Sequence, residues 1–325
     1  MKIAIIAYVD DREQEKFADE CNLMTYSGQE LDDRFHFIIY SHPQSTSLID
    51  KYDNVTIVSY EPPNDKYYST YRFARSLRFV NDNLKTLDEY DYVIKTDTDT
   101  IFTKEMNNFN FNNNIYIGKG YYTNSNYFLE NQKQLEDIAK SFGHPSYKKI
   151  TDMHSTIICS KEDMIILMDL SDRLCKEMYY YLKDPGEWHG EKLWRGYYDS
   201  NSGICSMYAL EIVLSTDRYR DRLIITDRID GSSNSEIPWE NFYHYHCYHH
   251  DYIYSKFQAK FGAYKKLNMQ SGDSSAAYCV NKYIERRDLG LNYPERFAKP
   301  MFTEFKIPED YGGYRVGYIF KKEVD

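Results

Sequence analysis

The sequence contains no apolar run of about 18 residues or more, so we expect no membrane-spanning helix. Its opening residues, MKIAIIAYVDD, turn acidic too early for a signal peptide and predict a buried first strand instead. An excess of basic residues is also missing: the formal net charge is −10, which argues against a nucleic-acid groove because such a groove needs clustered Lys and Arg. The sequence therefore predicts a cytoplasmic protein with no membrane span and no nucleic-acid partner.

Paired cysteine motifs are absent as well. The chain has six scattered cysteines and no CxxC pair, the spacing common at redox and zinc sites. We expect free, mostly buried thiols in a reducing compartment. The six are Cys21, Cys159, Cys175, Cys205, Cys247 and Cys279.

Short apolar segments alternate with helical segments through the first third of the chain. The predicted strands are 2–8, 34–41, 54–60 and 90–94, and the predicted helices are 13–26 and 67–87. Such alternation is typical of an α/β fold with a mostly parallel sheet and helices on both faces. In these sheets ligands bind at the carboxyl ends of the strands.

The alternation becomes less regular beyond residue 110. We predict strands at 115–122, 155–160 and 222–226, helices at 126–143, 161–182, 204–215, 251–262 and 275–287, and a long functional loop at 184–203. Ser160 is the expected N-cap of the 161–182 helix.

We find no repeat, no linker and no abrupt change of composition. The simplest division is one domain at 1–260, with a first half at 1–105 and a second half at 106–260. Residues 261–325 then form a helical C-terminal extension packed on the same domain.

The fourth predicted strand ends in two aspartates one residue apart, in the stretch KTDTDTIF. Three interpretations of Asp97 and Asp99 are open. They could form a polar turn, or Asp97 could be the nucleophile of a haloacid-dehalogenase-type phosphatase, whose DxDxT motif follows an apolar strand. The third is a DxD metal site. Ile101 stands where the phosphatase motif has Thr, and three strands precede the motif here instead of none.

Histidines concentrate far downstream. Four of the nine lie in the stretch FYHYHCYHH at 242–250. If this segment is a strand, alternation places His244 and His246 on one face. A self-contained zinc site is another possibility, although the spacing of these residues matches no familiar zinc motif.

These motifs, in this order, resemble the GT-A nucleotide-diphospho-sugar glycosyltransferases, most of all the poorly characterised members from large DNA viruses and algae. The resemblance rests on YVIKTDTDTIF, SGICSMYALEIVLS and FYHYHCYHH and covers about residues 1–260. It implies a Rossmann-like sheet flanked by helices. The implied activity moves a sugar from a UDP- or GDP-sugar to a glycan or other hydroxyl acceptor during glycan biosynthesis.

The resemblance also implies a divalent cation, Mn²⁺ or Mg²⁺, which neutralises the diphosphate of the donor as the glycosidic bond breaks. Asp99 and Asp97 are its expected ligands, and Asp97 is also expected beside the donor. Such enzymes often add a histidine from a late strand. We favour His246, with His249 as the alternative.

By the same resemblance, the end of the first strand approaches the base and ribose of the nucleotide, through Ala7, Tyr8 and Val9. Arg72 and Arg75 lie three residues apart on the helix before the fourth strand and share a face. One of them is expected to contact the sugar or phosphate of the donor. A solvated, ion-paired helix face is the alternative.

An inverting enzyme of this kind also needs a general base for the acceptor hydroxyl. The expected base is Glu211, with Asp199 and Asp152 as alternatives, although a buried structural role for Glu211 is equally open. Retaining enzymes of this fold require no such base, so the stereochemistry is undecided. A catalytically silent sugar- or nucleotide-binding protein with the same fold remains a third functional hypothesis.

Overall fold

The computed structural model describes residues 1–11, 14–120, 136–148, 150, 153–183, 205–247, 254 and 272–289. Several predicted features lie outside these residues. They are Asp152, Asp199, His249, the loop at 184–203, the helix at 251–262, the first ten residues of the helix at 126–143, and residues 261–271 and 290–325 of the C-terminal extension.

Two sheets form the β structure. The strands are β1 (Ile3–Val9), β2 (Phe35–Ser41), β3 (Val55–Ser59), β4 (Tyr92–Lys95), β5 (Thr100–Phe102), β6 (Ile115–Lys119), β7 (Met153–Ser160), β8 (Leu223–Thr226), β9 (Gly231–Ser232) and β10 (His244–His246). Seven of them form the central sheet in the order β3-β2-β1-β4-β7-β6-β8, and the small sheet has the order β5-β10-β9. In the central sheet β7 is antiparallel to both of its neighbours, and every other pairing is parallel. The predicted α/β fold with a mostly parallel sheet is confirmed.

Both faces of this sheet are covered, as the apolar sequence of β1 predicts. Ile3 and Ile5 contribute to a core with α1 (Gln14–Ser27), whereas Ala4 and Ile6 contribute to the core of the opposite face. Each fully buried isoleucine contributes about 1.5–3 kcal/mol relative to an exposed one. The opposite core also includes residues of three helices, α3 (Arg75–Asp82), α4 (Lys161–Lys183) and α5 (Cys205–Leu214).

The prediction of one long helix over 67–87 is wrong. The segment contains α2 (Lys66–Thr70), a 3₁₀ turn at Arg72–Ala74, α3 and a second 3₁₀ turn at Leu84–Leu87. Tyr71 interrupts the helix with φ −106° and ψ 80°, and its hydroxyl accepts a hydrogen bond from the backbone N–H of Ser206 at 3.0 Å. This tertiary contact, together with the weak helix propensity of Tyr, Ser and Thr, outweighs the periodic apolar pattern.

The start of α4 agrees with the sequence. Ser160 Oγ accepts the backbone N–H of Asp163 at 3.2 Å, so the predicted N-cap is confirmed. The Asp163 carboxylate also receives two hydrogen bonds from Arg222, at 2.7 and 3.0 Å.

The last described helix, α6 (Ser275–Asp288), packs against α1 and joins a third core with the small sheet. Arg286 of α6 is 1% exposed and lies 2.7 Å from Asp19 and 3.2 Å from Asp50. The predicted domain division at residue 260 stays a prediction.

Two composition-based expectations can be compared with the structure. All six cysteines lie among the described residues, and each is a buried free thiol, as predicted. In the described part of the chain, no helix has the length and apolar character needed to cross a membrane.

Candidate metal centre

The two aspartates follow β4 at the carboxyl edge of the central sheet. After Lys95 the chain leaves β4, passes through Asp97 and Asp99, and enters β5 of the small sheet. The Thr100 hydroxyl donates to the Asp97 carbonyl at 3.0 Å and so holds the connection in a turn. Both aspartates are partly exposed. Their carboxylates therefore remain accessible at the edge where ligands bind in parallel sheets.

The pairing of β5 with β10 brings a histidine to this turn. His246 is opposite Thr100 in the antiparallel register, and the backbone N–H of Cys247 donates to the Asp99 carbonyl at 2.8 Å. As a result, His246 Nε2 lies 3.5 Å from Asp99 Oδ2.

One ligand atom each from Asp97, Asp99 and His246 lies within 4.8 Å of the other two. Ligands that bind one cation at about 2.0–2.2 Å are spaced by about 3–4 Å, so a small movement of these side chains would enclose an ion. Two carboxylates and one imidazole suit Mn²⁺, and the two carboxylates alone suit Mg²⁺. The donor set therefore fits the divalent cation that the sequence predicts.

A second group of potential ligands shares His246 and is fully buried. It consists of His154, Asp230 and His246, again with one atom each within 4.8 Å. His154 Nδ1 lies 3.3 Å from Asp230 Oδ2, and His246 Nδ1 lies 3.8 Å from Asp230 Oδ1. The two rings of His154 and His246 meet edge to face with centroids 4.3 Å apart. His246 thus lies between the partly exposed aspartates and a buried carboxylate.

Asp230 and His154 were not among the residues predicted from the sequence. Asp230 precedes a glycine in RIDGSS, a pattern that reads as an ordinary turn. His154 is a single histidine within β7, and an isolated histidine carries no signal of its own. The one available clue for Asp230 was its position four residues after the predicted strand RLIIT.

The backbone around Asp230 is shaped for its side chain. Asp230 itself has φ 55°, in the left-handed region that Asp tolerates better than most residues. A Cβ on Gly118 would lie 2.1 Å from Asp230 Oδ2, and a Cβ on Gly120 would lie 2.1 Å from His154 Cδ2. Both glycines are therefore required for the close approach of β6 to this cluster.

His244 shares a face with His246, as alternation predicts, but it has a different role. Its Nδ1 accepts the backbone N–H of Asp230 at 3.2 Å, and its Nε2 lies 3.0 Å from Thr96 Oγ1. Burial lowers the pKa of His244 to about 4, so the ring is neutral at physiological pH. With both nitrogens engaged in hydrogen bonds, His244 is a structural residue.

The two carboxylates beside His246 change its titration. Burial by itself lowers the pKa of this imidazole, but Asp99, followed by Asp230, outweighs burial and raises the pKa to about 9. For Asp230, burial acts to raise the pKa, yet the neighbouring His154 and His246 hold it well below its usual range. Without a cation, His246 therefore carries an extra proton between two carboxylates, where a metal ion would replace the positive charge.

The residues predicted to meet the nucleotide lie at the end of β1. The side chains of Ala7 and Val9 are fully buried on the α1 side of the sheet. Tyr8 is on the opposite side, where it stacks on Phe79 with ring centroids 6.0 Å apart. Burial raises the pKa of the Tyr8 hydroxyl, so this group stays protonated.

The two predicted arginines pair with aspartates just after β1, which were not predicted as site residues. Arg75 is buried, and its Nη1 lies 2.8 Å from Asp11 and 3.5 Å from Asp10. Arg72 is 40% exposed and lies 3.6 Å from Asp11. Arg75 is ion-paired, as the alternative expects, but it is buried and not solvated, whereas Arg72 retains a partly exposed guanidinium.

Glu211, the expected general base, lies within α5 and is fully buried. Its Oε1 accepts hydrogen bonds from the Tyr147 hydroxyl at 3.0 Å and the Ile150 backbone N–H at 2.9 Å. These two hydrogen bonds connect α5 to the segment that precedes β7, which is a structural role. Its catalytic role stays a prediction.

The region that matches a known protein family includes the candidate site and most of the fold. A family model described as "Domain of unknown function (DUF7164)" matches residues 1–291. The chain belongs to the DUF7164 family. The match includes β1, the DxD turn, the buried cluster around Asp230 and helix α6, so the candidate metal centre lies wholly within the DUF7164 domain. No curated protein matches the chain.

Proposed function

We propose that this DUF7164 protein is a metal-dependent glycosyltransferase of the GT-A type. It would transfer a sugar from a nucleoside-diphosphate sugar to a glycan or another hydroxyl acceptor. The observation that carries the proposal is the convergence of Asp97, Asp99 and His246 at the carboxyl end of β4. In a parallel sheet this edge is the usual ligand site.

The chemistry of donor activation agrees with these ligands. A bound divalent cation stabilises the negative charge of the diphosphate leaving group. Asp97, Asp99 and His246 would hold the ion, while its remaining positions stay open for phosphate oxygens.

Two cationic side chains lie close to the same edge. Arg72 presents its partly exposed guanidinium beside the end of β1. Lys95 is 5% exposed, and burial lowers the pKa of its ammonium, although Asp97 and Asp230 act in the opposite direction. Either group would attract an anionic donor to the cation site.

The phosphatase hypothesis has less support from the packing. Ile101, which replaces the Thr of the phosphatase motif, is fully buried and pairs with Tyr245 in the small sheet. Its side chain therefore contributes to a core instead of lying beside a phosphoryl group.

Isothermal titration with UDP and GDP, with and without Mn²⁺, tests the proposed site. We expect nucleotide binding that requires Mn²⁺ and is weakened at least about tenfold in Asp99→Asn, since one charged ligand is lost. Asp88→Asn is the matched control, because Asp88 is exposed and precedes β4 at the opposite edge. Unchanged Mn²⁺-dependent binding by Asp99→Asn would show that the site is elsewhere.

A hydrolysis and transfer screen over a panel of nucleotide sugars tests whether the protein is an enzyme. We expect Mn²⁺-dependent release of the nucleoside diphosphate from at least one donor. Binding without hydrolysis or transfer across the panel would identify a catalytically silent binding protein. Trapping of beryllium fluoride at Asp97 would instead support a phosphatase.

A further inference from the structure

Asp230 is a fully buried carboxylate with three histidine rings around it. The side chains of Asp230, His154 and His244 are 0% exposed and that of His246 is 6% exposed. Burial of a carboxylate costs free energy unless hydrogen-bond donors or positive charges surround it. The hydrogen-bond directions around it can be assigned one by one.

Thr156 sets the first direction. Its backbone N–H donates to Asp230 Oδ2 at 2.9 Å, and its hydroxyl donates to Asp230 Oδ1 at 2.6 Å. The Thr156 hydroxyl has only one hydrogen atom, and it donates that hydrogen to Asp230. Thr156 Oγ1 must therefore accept the hydrogen bond in its 2.9 Å contact with Thr96 Oγ1. Since the Thr96 hydroxyl donates to Thr156, Thr96 Oγ1 accepts a hydrogen bond from His244 Nε2–H at 3.0 Å.

In two of the three imidazoles, Nδ1 accepts a hydrogen bond and so cannot donate one to Asp230. His244 Nδ1 accepts the backbone N–H of Asp230, as its protonated Nε2 requires. His154 Nδ1 accepts the backbone N–H of Ser155 at 2.8 Å, which places an acceptor lone pair on that nitrogen too. The ring nitrogen that remains able to donate to Asp230 is His246 Nδ1. It lies 3.8 Å from Oδ1, beyond hydrogen-bond length, so a small rotation of the ring is needed to form the bond.

We propose that Asp230 is the positioning residue for the metal-binding histidine: its carboxylate keeps one proton of His246 on Nδ1, so that Nε2 is the nitrogen that gives up its proton and directs its lone pair at a cation held by Asp97 and Asp99. The inference rests on the proposed function, since it assigns the orientation of one ligand of that site. Histidines that bind metals commonly donate the other ring N–H to a carboxylate, which sets the tautomer and makes the ligand more basic. Here the geometry agrees, because His246 Nε2 is the nitrogen that lies 3.5 Å from Asp99.

The cluster His154, Asp230 and His246 could alternatively hold a second cation. The hydrogen bonds favour the positioning role. The lone pair of His154 Nδ1 is directed at the Ser155 N–H, and each Asp230 oxygen already accepts a hydrogen bond from Thr156. A cation in this cluster would have to displace these bonds.

Asp230→Asn is the informative variant. Asn has the same size and, like Asp, tolerates the left-handed backbone at this position. Its amide N–H₂ would donate to His246 Nδ1 and force the ring proton onto Nε2, the wrong tautomer for the cation. We expect Mn²⁺ affinity of the full chain, titrated without nucleotide, to fall by about 10–100-fold. The melting temperature of the metal-free protein serves as the folding check.

His154→Gln is the matched control, since His154 contacts the same carboxylate but has no part in binding the cation under the proposal. We expect one Mn²⁺ per chain in the wild type and in His154→Gln, with affinities within about threefold of each other. A wild-type stoichiometry of two ions that drops to one in His154→Gln would overturn the proposal and establish the buried cluster as a cation site.

Nitrogen-15 NMR of ¹⁵N-histidine-labelled wild type, with Zn²⁺ as a diamagnetic probe, measures the tautomer directly and needs no variant. We expect a protonated Nδ1 and a metal-bound Nε2 at His246. Metal at Nδ1, or unchanged Mn²⁺ affinity in a folded Asp230→Asn, overturns the positioning role. If both measurements agree with the proposal but no nucleotide binds, only the glycosyltransferase function fails; a wild type that binds no cation overturns both.

Discussion

Two regions of this protein place carboxylates beside basic side chains, and they differ in the kind of basic side chain. At the α1–α6 contact, Asp19 and Asp50 meet Arg286, whose guanidinium is charged at every accessible pH. At the edge of the central sheet, Asp230 and Asp99 meet histidines, whose protons can be exchanged for a metal ion. The guanidinium cluster is closed and stabilises the fold, whereas the imidazole cluster can bind a ligand. Substitutions in the two regions should therefore affect stability and metal binding differently.

The largest effect is expected at the guanidinium cluster. Arg286→Met leaves two buried carboxylates without a cation and should lower the free energy of unfolding by about 3–5 kcal/mol. Urea denaturation measures the change, and Mn²⁺ affinity of the folded fraction should be unaffected. Arg287→Met is the matched control, because Arg287 is the next residue of α6 and pairs with Asp288 at the surface. If both variants lose equal stability, the cluster has no special role.

Removal of the shared imidazole should separate binding from stability. Mn²⁺ at about 100 times its dissociation constant should stabilise the wild type by about 2.7 kcal/mol, and His246→Gln should lose this gain at the same concentration. His244→Gln is the control on the same face of β10: we expect lower stability but an intact response to Mn²⁺. Thermal unfolding with and without Mn²⁺ provides both values. If only His244→Gln loses the response to Mn²⁺, then His244 and not His246 is the metal ligand.

Lys95 tests whether a buried ammonium group serves ligand binding or the stability of the fold. No ion-pair partner of Lys95 was found within 4.0 Å among the described residues, and its ammonium is buried. Lys95→Met should therefore raise the free energy of unfolding by about 1 kcal/mol and weaken Mn²⁺-dependent nucleotide binding. Lys2→Met, at an exposed pair with Glu89 on the opposite edge, should change neither. Lower stability in Lys95→Met would contradict a ligand-binding role.

The smallest effect concerns a guanidinium pair closer to the surface. The hydrogen bonds from Arg222 lower the pKa of Asp163, so this pair contributes stability above the ordinary carboxyl pKa of about 4. The contribution is lost as the pH falls through the lower pKa of the folded state. Because Arg222 is 34% exposed, we expect only about 0.5 kcal/mol from Asp163→Asn at pH 7, disappearing near pH 2. A constant difference across this pH range would contradict the assignment.

Local patterns were informative wherever short-range physics decides the structure. The apolar strands β1, β2 and β4 and the Ser160 cap of α4 follow from burial and capping, which depend on nearby residues. The long helix predicted over 67–87 failed because Tyr71 contacts Ser206, far along the chain. A periodic pattern contains no information about such a contact.

The candidate site was partly visible for the same reason. Asp97 and Asp99 were conspicuous because they end a buried strand, and His246 because it lies in a cluster of histidines. Asp230 and His154 carried no local signal. Their importance comes from a hydrogen-bond network that joins β4, β7, β9 and β10, including the Thr96–His244 bond across 148 positions of sequence.

The sequence by itself determined the α/β class, the free thiols and the position of two carboxylates at the end of the fourth strand, because strand burial and alternation have a short period. It also placed His244 and His246 on one face, and only the family resemblance favoured His246 as the ligand. Only the tertiary structure decided that His244 is consumed by hydrogen bonds while His246 faces Asp99. The register of β5 with β10 and the buried Asp230 make that choice, and both depend on strands far apart in the chain.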